Sequence, residues 1–220
     1  MTVSARVLVG LIVGAGVLLA AGCDSGNDED EVPALLRVVH ATPGLAPIDF
    51  FIDFDLFTRN LAFRSATPYN RWEPGLRRFE VRAAGDPAEL VAQDFVLDED
   101  TAYTALVTGA AGDSSFILLQ DNRSAPPAGQ ARLRMVHAAR RIGSLTVVAT
   151  ETGGGSMLDV ALGRFGRTSA FISIPAGNFD LDVRPTSGGG GPVPLNQSFQ
   201  AGRRYLIVVT NTAIFAIVDG

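Results

Sequence analysis

The hexapeptide Leu36-Arg37-Val38-Val39-His40-Ala41 returns as Leu133-Arg134-Met135-Val136-His137-Ala138, and this echo constrains the fold more than any other feature of the chain. The sequence holds two histidines, and both fall at the same place in the hexapeptide. The echo runs on downstream: residues 74–82 are answered by 176–184, 102–108 by 204–210, and 116–121 by 215–219. A fixed internal repeat means one structural unit used twice. The chain therefore divides into modules at 35–123 and 132–220.

Within each module the residues alternate with the period of a strand. Leu36, Val38 and His40 share one face, and Arg37 and Val39 the other. The stretch Ile48-Asp49-Phe50-Phe51-Ile52-Asp53-Phe54-Asp55 alternates most clearly, which predicts Ile48, Phe50, Ile52 and Phe54 inward and Asp49, Asp53 and Asp55 outward. Further short strands are expected at 61–63, 71–73, 78–83, 90–96, 102–107 and 116–120. The second module repeats the plan from 132–138 to 214–218. No window sustains a helical period. Short, evenly spaced strands punctuated by Pro, Gly and Asp predict an all-β chain of two tandem antiparallel β-sandwich modules of immunoglobulin-like type.

A module of this size buries only about 60–65% of its unfolded surface, so each core is thin. The single Cys23 has no partner for a disulfide. Stability must come from packed sheet faces, with contact between the modules as a further source. The segment Ser124-Ala125-Pro126-Pro127-Ala128-Gly129, within a linker at 124–131, carries two prolines that stiffen it. It is expected to hold the modules apart in a preferred direction.

Residues 1–22 read as an export signal: one basic residue, an apolar run at 7–19, and Leu19-Ala20-Ala21-Gly22 before Cys23. The apolar run is too short for a comfortable membrane span, which needs about 20 residues. Small residues ending at a cysteine resemble a bacterial lipobox, in which the thiol is lipidated and becomes the mature N-terminus. The alternative is an ordinary signal-peptidase site and a freely secreted protein. Residues 23–34 then form an acidic tether whose charges repel and extend it.

Composition removes several functions. All eighteen basic residues are arginine, so lysine Schiff-base chemistry and a P-loop lysine are excluded. A net charge of −5 speaks against nucleic acid. The glycine runs at 153–155 and 188–191 lack the strand and helix context of a phosphate loop and read as hairpin tips.

The candidate sites are few. His40 and His137 share faces with apolar residues, which suits buried histidines bonded to a neighbouring turn better than metal ligands, since zinc needs three or four donors. Asp49, Asp53 and Asp55 read as the solvated side of an amphipathic strand. Paired carboxylates of this kind also serve glycoside hydrolysis or calcium binding. Tyr69, Arg71 and Trp72, between Pro68 and Pro74, are the best candidate for a recognition surface, where an aromatic ring stacks on a sugar or anchors a protein. A lone tryptophan is more often a core residue. No cofactor and no metal site is expected.

From Leu36 to Pro43, with Ala46-Pro47-Ile48-Asp49 following, the chain resembles the domain of unknown function 4397 family. Its members share a valine-rich strand, a His-Ala-Ser-Pro-like turn and a Pro-x-Val-Asp strand, often in tandem. Pro74-Gly75 before Phe79-Glu80-Val81-Arg82, and the Tyr103 strand, fit the later landmarks. The first copy has one more residue than usual between Pro43 and Pro47. The second reads His137-Ala138-Ala139-Arg140-Arg141-Ile142-Gly143, without the prolines and the aspartate. The resemblance implies an exported β-sandwich and brings no activity with it. Together these readings predict a non-catalytic cell-envelope protein, anchored to a membrane by lipid on Cys23, facing the periplasm or exterior and binding an envelope glycan or protein. An envelope glycan hydrolase using the carboxylates of the first module is the alternative.

Overall fold

The computed structural model describes residues 32–155, 157–187 and 191–219. The signal-like segment, Cys23 and most of the acidic tether lie outside the described residues. In the first half the strands are β1 Ala34–His40, β2 Ile48–Ile52, β3 Asp55–Leu61, β4 Asn70–Trp72, β5 Gly75–Ala83, β6 Glu89–Leu97, β7 Ala102–Ala110 and β8 Asp113–Asp121. The second half has β9 Gln130–His137, β10 Leu145–Glu151, β11 Met157–Leu162, β12 Ile172–Pro175, β13 Gly177–Pro185, β14 Leu195–Phe199, β15 Arg204–Val209 and β16 Ile214–Asp219. Among the described residues every regular element is a strand.

The strands form four sheets of four. The first half pairs a β4-β1-β7-β8 sheet with a β3-β2-β5-β6 sheet, and the second pairs β12-β9-β15-β16 with β11-β10-β13-β14. The two orders correspond strand for strand. Neighbours are antiparallel except β1 beside β7 and β9 beside β15, which run parallel. Those two pairs carry the duplicated hexapeptide.

Alternation within the hexapeptide serves two cores at once. Leu36 and Val38 point into the first sandwich with Ile48, Phe50, Ile52, Phe79 and Val81. Leu133 and Met135 do the same in the second, among Phe179, Leu181 and Phe199. Val39 on β1 with Ala41 just past it, and Val136 on β9 with Ala138 just past it, point away from both sandwiches and into a third core. Leu106, Leu119, Leu206, Val208, Phe215 and Ile217 complete it. The β1 and β9 sheets thus lie back to back, each buried on both faces. A sheet buried on both faces requires unbroken apolar runs in place of alternation. β7 accordingly is buried at every position from 102 to 109.

This third core corrects the expectation that the linker holds the modules apart. Residues 31–220 form one compact unit. Thr108 donates its hydroxyl across the seam to the Ala138 carbonyl at 3.1 Å, and Phe63 meets Phe215 edge-on at 5.9 Å between ring centres. The linker is itself held down: Arg132 reaches the Ser124 carbonyl and Arg204 the Arg123 carbonyl. The prolines stiffen the segment, but the apolar face beneath decides the geometry.

Two further expectations change. Ile48, Phe50 and Ile52 are fully buried as predicted, but Phe54 is 71% exposed. Asp53 and Phe54 take φ of 50° and 72° between the paired residues Ile52 and Asp55. They form a two-residue turn of the mirror-image kind that matches strand twist. The chain reverses before the alternation can continue, and β3 starts at Asp55. The echo of 116–121 in 215–219 is also out of register at its start. Phe116 pairs with Val107 and Ile214 with Val209, so Ile214 answers Phe116, while Phe215 turns to the seam.

The contrast between two phenylalanines checks this account. Phe50→Ala should cost about 3–5 kcal/mol, because its ring packs against Phe57, Phe79 and Phe116. Phe54→Ser should shift the denaturation midpoint by less than about 0.5 kcal/mol equivalent. Chemical denaturation of the two variants measures both. Equal costs would mean that the chain does not reverse at Asp53 and Phe54.

Candidate binding site

The duplicated histidines are structural fasteners. His40 Nδ1 accepts the Thr42 N–H at 3.3 Å, while Nε2 donates to the Ala46 carbonyl at 3.2 Å. His137 repeats the pair with the Ala139 N–H at 3.2 Å and the Gly143 carbonyl at 2.6 Å. An amide donor on one nitrogen and a carbonyl acceptor on the other specify the neutral ring with its proton on Nε2. Each histidine pins the loop that follows its strand. Burial lowers the pKa of His40, opposed by its bond to Ala46.

The three residues proposed from sequence as one surface are split by the structure. Arg71 and Trp72 lie on β4, an edge strand, and with Asp53, Asp55, Glu73 and Arg77 they line an open cleft on the first sandwich. Trp72 is half-buried, meeting Phe57 edge-on at 5.7 Å and packing on the first core, so it is both a core residue and a cleft wall. Arg71 is exposed at the rim. Tyr69 does not belong to this cleft. Its hydroxyl donates to Asp121 Oδ2 at 2.8 Å, and its ring lies between the Arg37 and Arg123 guanidinium groups at 4.7 and 5.0 Å.

The carboxylates divide as well. Asp53 accepts the Arg78 N–H at 2.8 Å and pairs with Arg77 at 3.2 Å, which closes the β2–β3 turn onto β5. Arg77 also pairs with Glu73 at 3.2 Å and donates to the Pro74 carbonyl at 2.7 Å. Asp55 shares the cleft. Asp49 does not: its Oδ1 accepts the Asn60 N–H at 2.7 Å on the outer sheet. Of the three aspartates, Asp53 and Asp55 are therefore those a ligand in the cleft would meet, beside Glu73.

A second constellation escaped the sequence reading. It surrounds Tyr69 at the end of the seam, where Arg37, Asp121, Arg134, Phe171 and Asp219 converge. Arg37, 5% exposed, donates from Nε to Thr104 Oγ1 at 2.8 Å, and Thr104 in turn donates to Asp121. Arg134 reaches the Gln120 carbonyl at 2.8 Å and Thr168 at 3.0 Å. Burial raises the pKa of Asp121, opposed by Thr104, Arg37 and Tyr69. Burial likewise raises that of the Tyr69 phenol and lowers that of Arg134. The signal was present in the sequence: an arginine at the same position of each hexapeptide, on the face away from the histidine.

The fold defines a protein of two β-sandwiches fused through a common buried face, with polar side chains gathered in an open cleft and at the end of the seam. The chain belongs to the family described as Domain of unknown function (DUF4397), whose model matches residues 34–148, from β1 into β10. No curated protein matches it. Among solved structures it is similar to the Bacillus anthracis TIE protein, at 9% identity and a TM-score of 0.31, over 83% of this chain and 34% of that one. It is also similar to CBMbc (family CBM26) from Eubacterium rectale Amy13K, solved in complex with maltoheptaose, at 10% identity and a TM-score of 0.28, over 84% of this chain and 96% of that one. The chain thus spans about a third of the length of the Bacillus anthracis protein.

The histidine geometry has a measurable consequence. The folded pKa of His40 lies below 6.5, so between those values the unfolded chain binds a proton that the folded chain refuses. Stability is therefore intact above the unfolded value and falls as pH drops through that window. Denaturation midpoints should decline from about pH 7 to about pH 5, and His40→Gln should flatten the decline. A midpoint that rose on acidification with His40 present, and not in the variant, would reverse the sign.

Proposed function

We propose that the protein is exported, anchored in the cell envelope by lipid on Cys23, and holds a non-catalytic binding role exercised through the cleft beside Trp72. The observation that carries the binding reading is the cleft itself. An ion-paired Arg77–Asp53–Glu73 cluster, an exposed arginine and the wall of a tryptophan face solvent together on one edge of a sandwich. Half-buried aromatic anchors ringed by fixed polar groups are what recognition surfaces use. Residues 1–22 serve as the lipoprotein signal and 23–34 as the tether. Residues 35–123 and 132–220 are two copies of the family's domain, joined at 124–131. The partner is an envelope glycan or protein, met by a body held near the membrane and facing the periplasm or exterior.

The alternative, an envelope glycan hydrolase, draws on Asp53 and Asp55 standing in the same cleft. Asp53 is engaged with Arg77 and the Arg78 N–H, which suits it to a structural role.

Two measurements test the proposal. Mass spectrometry of the mature N-terminus should find Cys23 first in the chain and acylated; an unmodified cysteine, or a start elsewhere, refutes the anchor. A glycan and envelope-protein binding screen on the mature chain should find a ligand lost with Trp72→Ala, by about 1–3 kcal/mol. Turnover of a polysaccharide that disappears with Asp53→Ala would establish the hydrolase instead.

A further inference from the structure

The end of the seam between the sandwiches is built twice from the same positions. Arg37 and Arg134 hold equivalent places in the hexapeptide. Thr67 and Ser169 accept the N–H groups of Val38 and Met135 through their hydroxyls, which makes Tyr69 and Phe171, two residues on, a second equivalent pair. Asp121 and Asp219 are the third, each closing its module's last hairpin opposite Ala102 and Arg204. Each arginine lies over its own aromatic ring, Arg37 on Tyr69 at 4.7 Å and Arg134 on Phe171 at 5.0 Å. All six residues border one cavity of about 20 Å³, enough for a water-sized group.

Arg132 and Arg204 join them, so four arginines stand against two aspartates and leave a formal charge of +2. The pairing is uneven. Arg204 holds Asp219 at 3.1 Å. Asp121 is taken by the hydroxyls of Tyr69 and Thr104. Nε of Arg132 and Nε of Arg134 are buried and meet no acceptor among the described residues. Positive charge held in a partly buried site without its full complement of anions favours a bound anion, and guanidinium forks match the two oxygens of a carboxylate. The small cavity admits a carboxylate tip and not a sugar ring.

The cavity opens into a groove. Asp121, Asn122 and Phe171 belong to both, and Gln120, Arg123 and Ser124 continue the groove outward. Amides, a hydroxyl and a 38% exposed aromatic ring suit the hydroxyls and apolar face of a sugar. We propose that the seam binds an acidic glycan, with a uronate carboxylate seated against Arg37 and Arg134 and the next sugar along the groove against Phe171. This site is separate from the Trp72 cleft and needs both sandwiches.

Isothermal titration of the full chain with trigalacturonate and with its carboxyl-reduced counterpart tests the proposal. The acidic trisaccharide should bind at least tenfold more tightly than the neutral one, and more weakly as salt rises. Arg37→Lys and Arg134→Lys keep the charge and lose the fork; each should weaken binding at least tenfold in a chain that still folds. Trp72→Ala should leave this binding unaltered, so that failure here and failure of the cleft reading are told apart. Absence of binding, equal binding of the neutral sugar, full binding by both lysine variants, or tighter binding of inorganic phosphate than of trigalacturonate overturns it. Should a lysine variant fail to fold, dicarbonyl labelling of the unaltered protein decides: trigalacturonate should protect Arg134, and labelling of Arg134 at the same rate with and without it overturns the proposal.

Discussion

The structure depends on the burial of both faces of its two inner sheets. A sandwich of this size has a thin core, and no disulfide is available to staple it. Setting the β1 and β9 sheets back to back adds a third apolar layer that belongs to neither sandwich alone. Without it, Val39, Leu106, Leu119, Val136, Val208 and Ile217 would form one exposed apolar patch on each half, the kind of surface that drives association. The third core therefore explains why these strands are apolar on both sides and why the halves form one compact unit.

The hexapeptide shows how one short segment meets several demands. Its first and third residues fill a sandwich, its fourth and sixth fill the seam, and its histidine fastens the next loop. Histidine suits that last task because a neutral imidazole offers one donor and one acceptor on opposite sides of a flat ring. The second copy has lost the prolines of the loop, yet His137 still bonds backbone groups at both nitrogens. Side-chain identity in that loop is free to drift because the contacts are to main chain.

Much of this was legible in the residues, and what was not has identifiable causes. The all-β class and the burial of Ile48, Phe50 and Ile52 follow from period-two alternation, which reports local geometry. Phe54 misled because its apolarity continued the pattern while the backbone turned, a positive-φ step that Asp53 signals weakly. The seam was hidden because a strand apolar on both sides has no period to reveal which face meets what. The Trp72 cleft and the Tyr69 cluster looked like one site because Pro68 to Pro74 is short. Tyr69 lies just ahead of β4, where its hydroxyl is taken by Asp121, whereas Arg71 and Trp72 sit on the strand and line the cleft.

The divergence between the copies is most informative where they meet. Arg204 stands where the first copy has Ala102, and Leu206 where it has Thr104, so the equivalent aspartates are held by different chemistry. Asp219 is neutralised by a guanidinium group, and Asp121 is bonded by two hydroxyls. A strictly repeated seam would have given each aspartate the same partner and each arginine the same environment. The substitutions add a cation on one side and a hydroxyl on the other, and a formal excess of positive charge results at the point where the duplicated arginines converge. Packing alone would be served better by apolar residues of similar volume, since buried charges seldom repay their desolvation. The arginines on the seam are thus the feature that stability explains least and that binding an anion explains most directly.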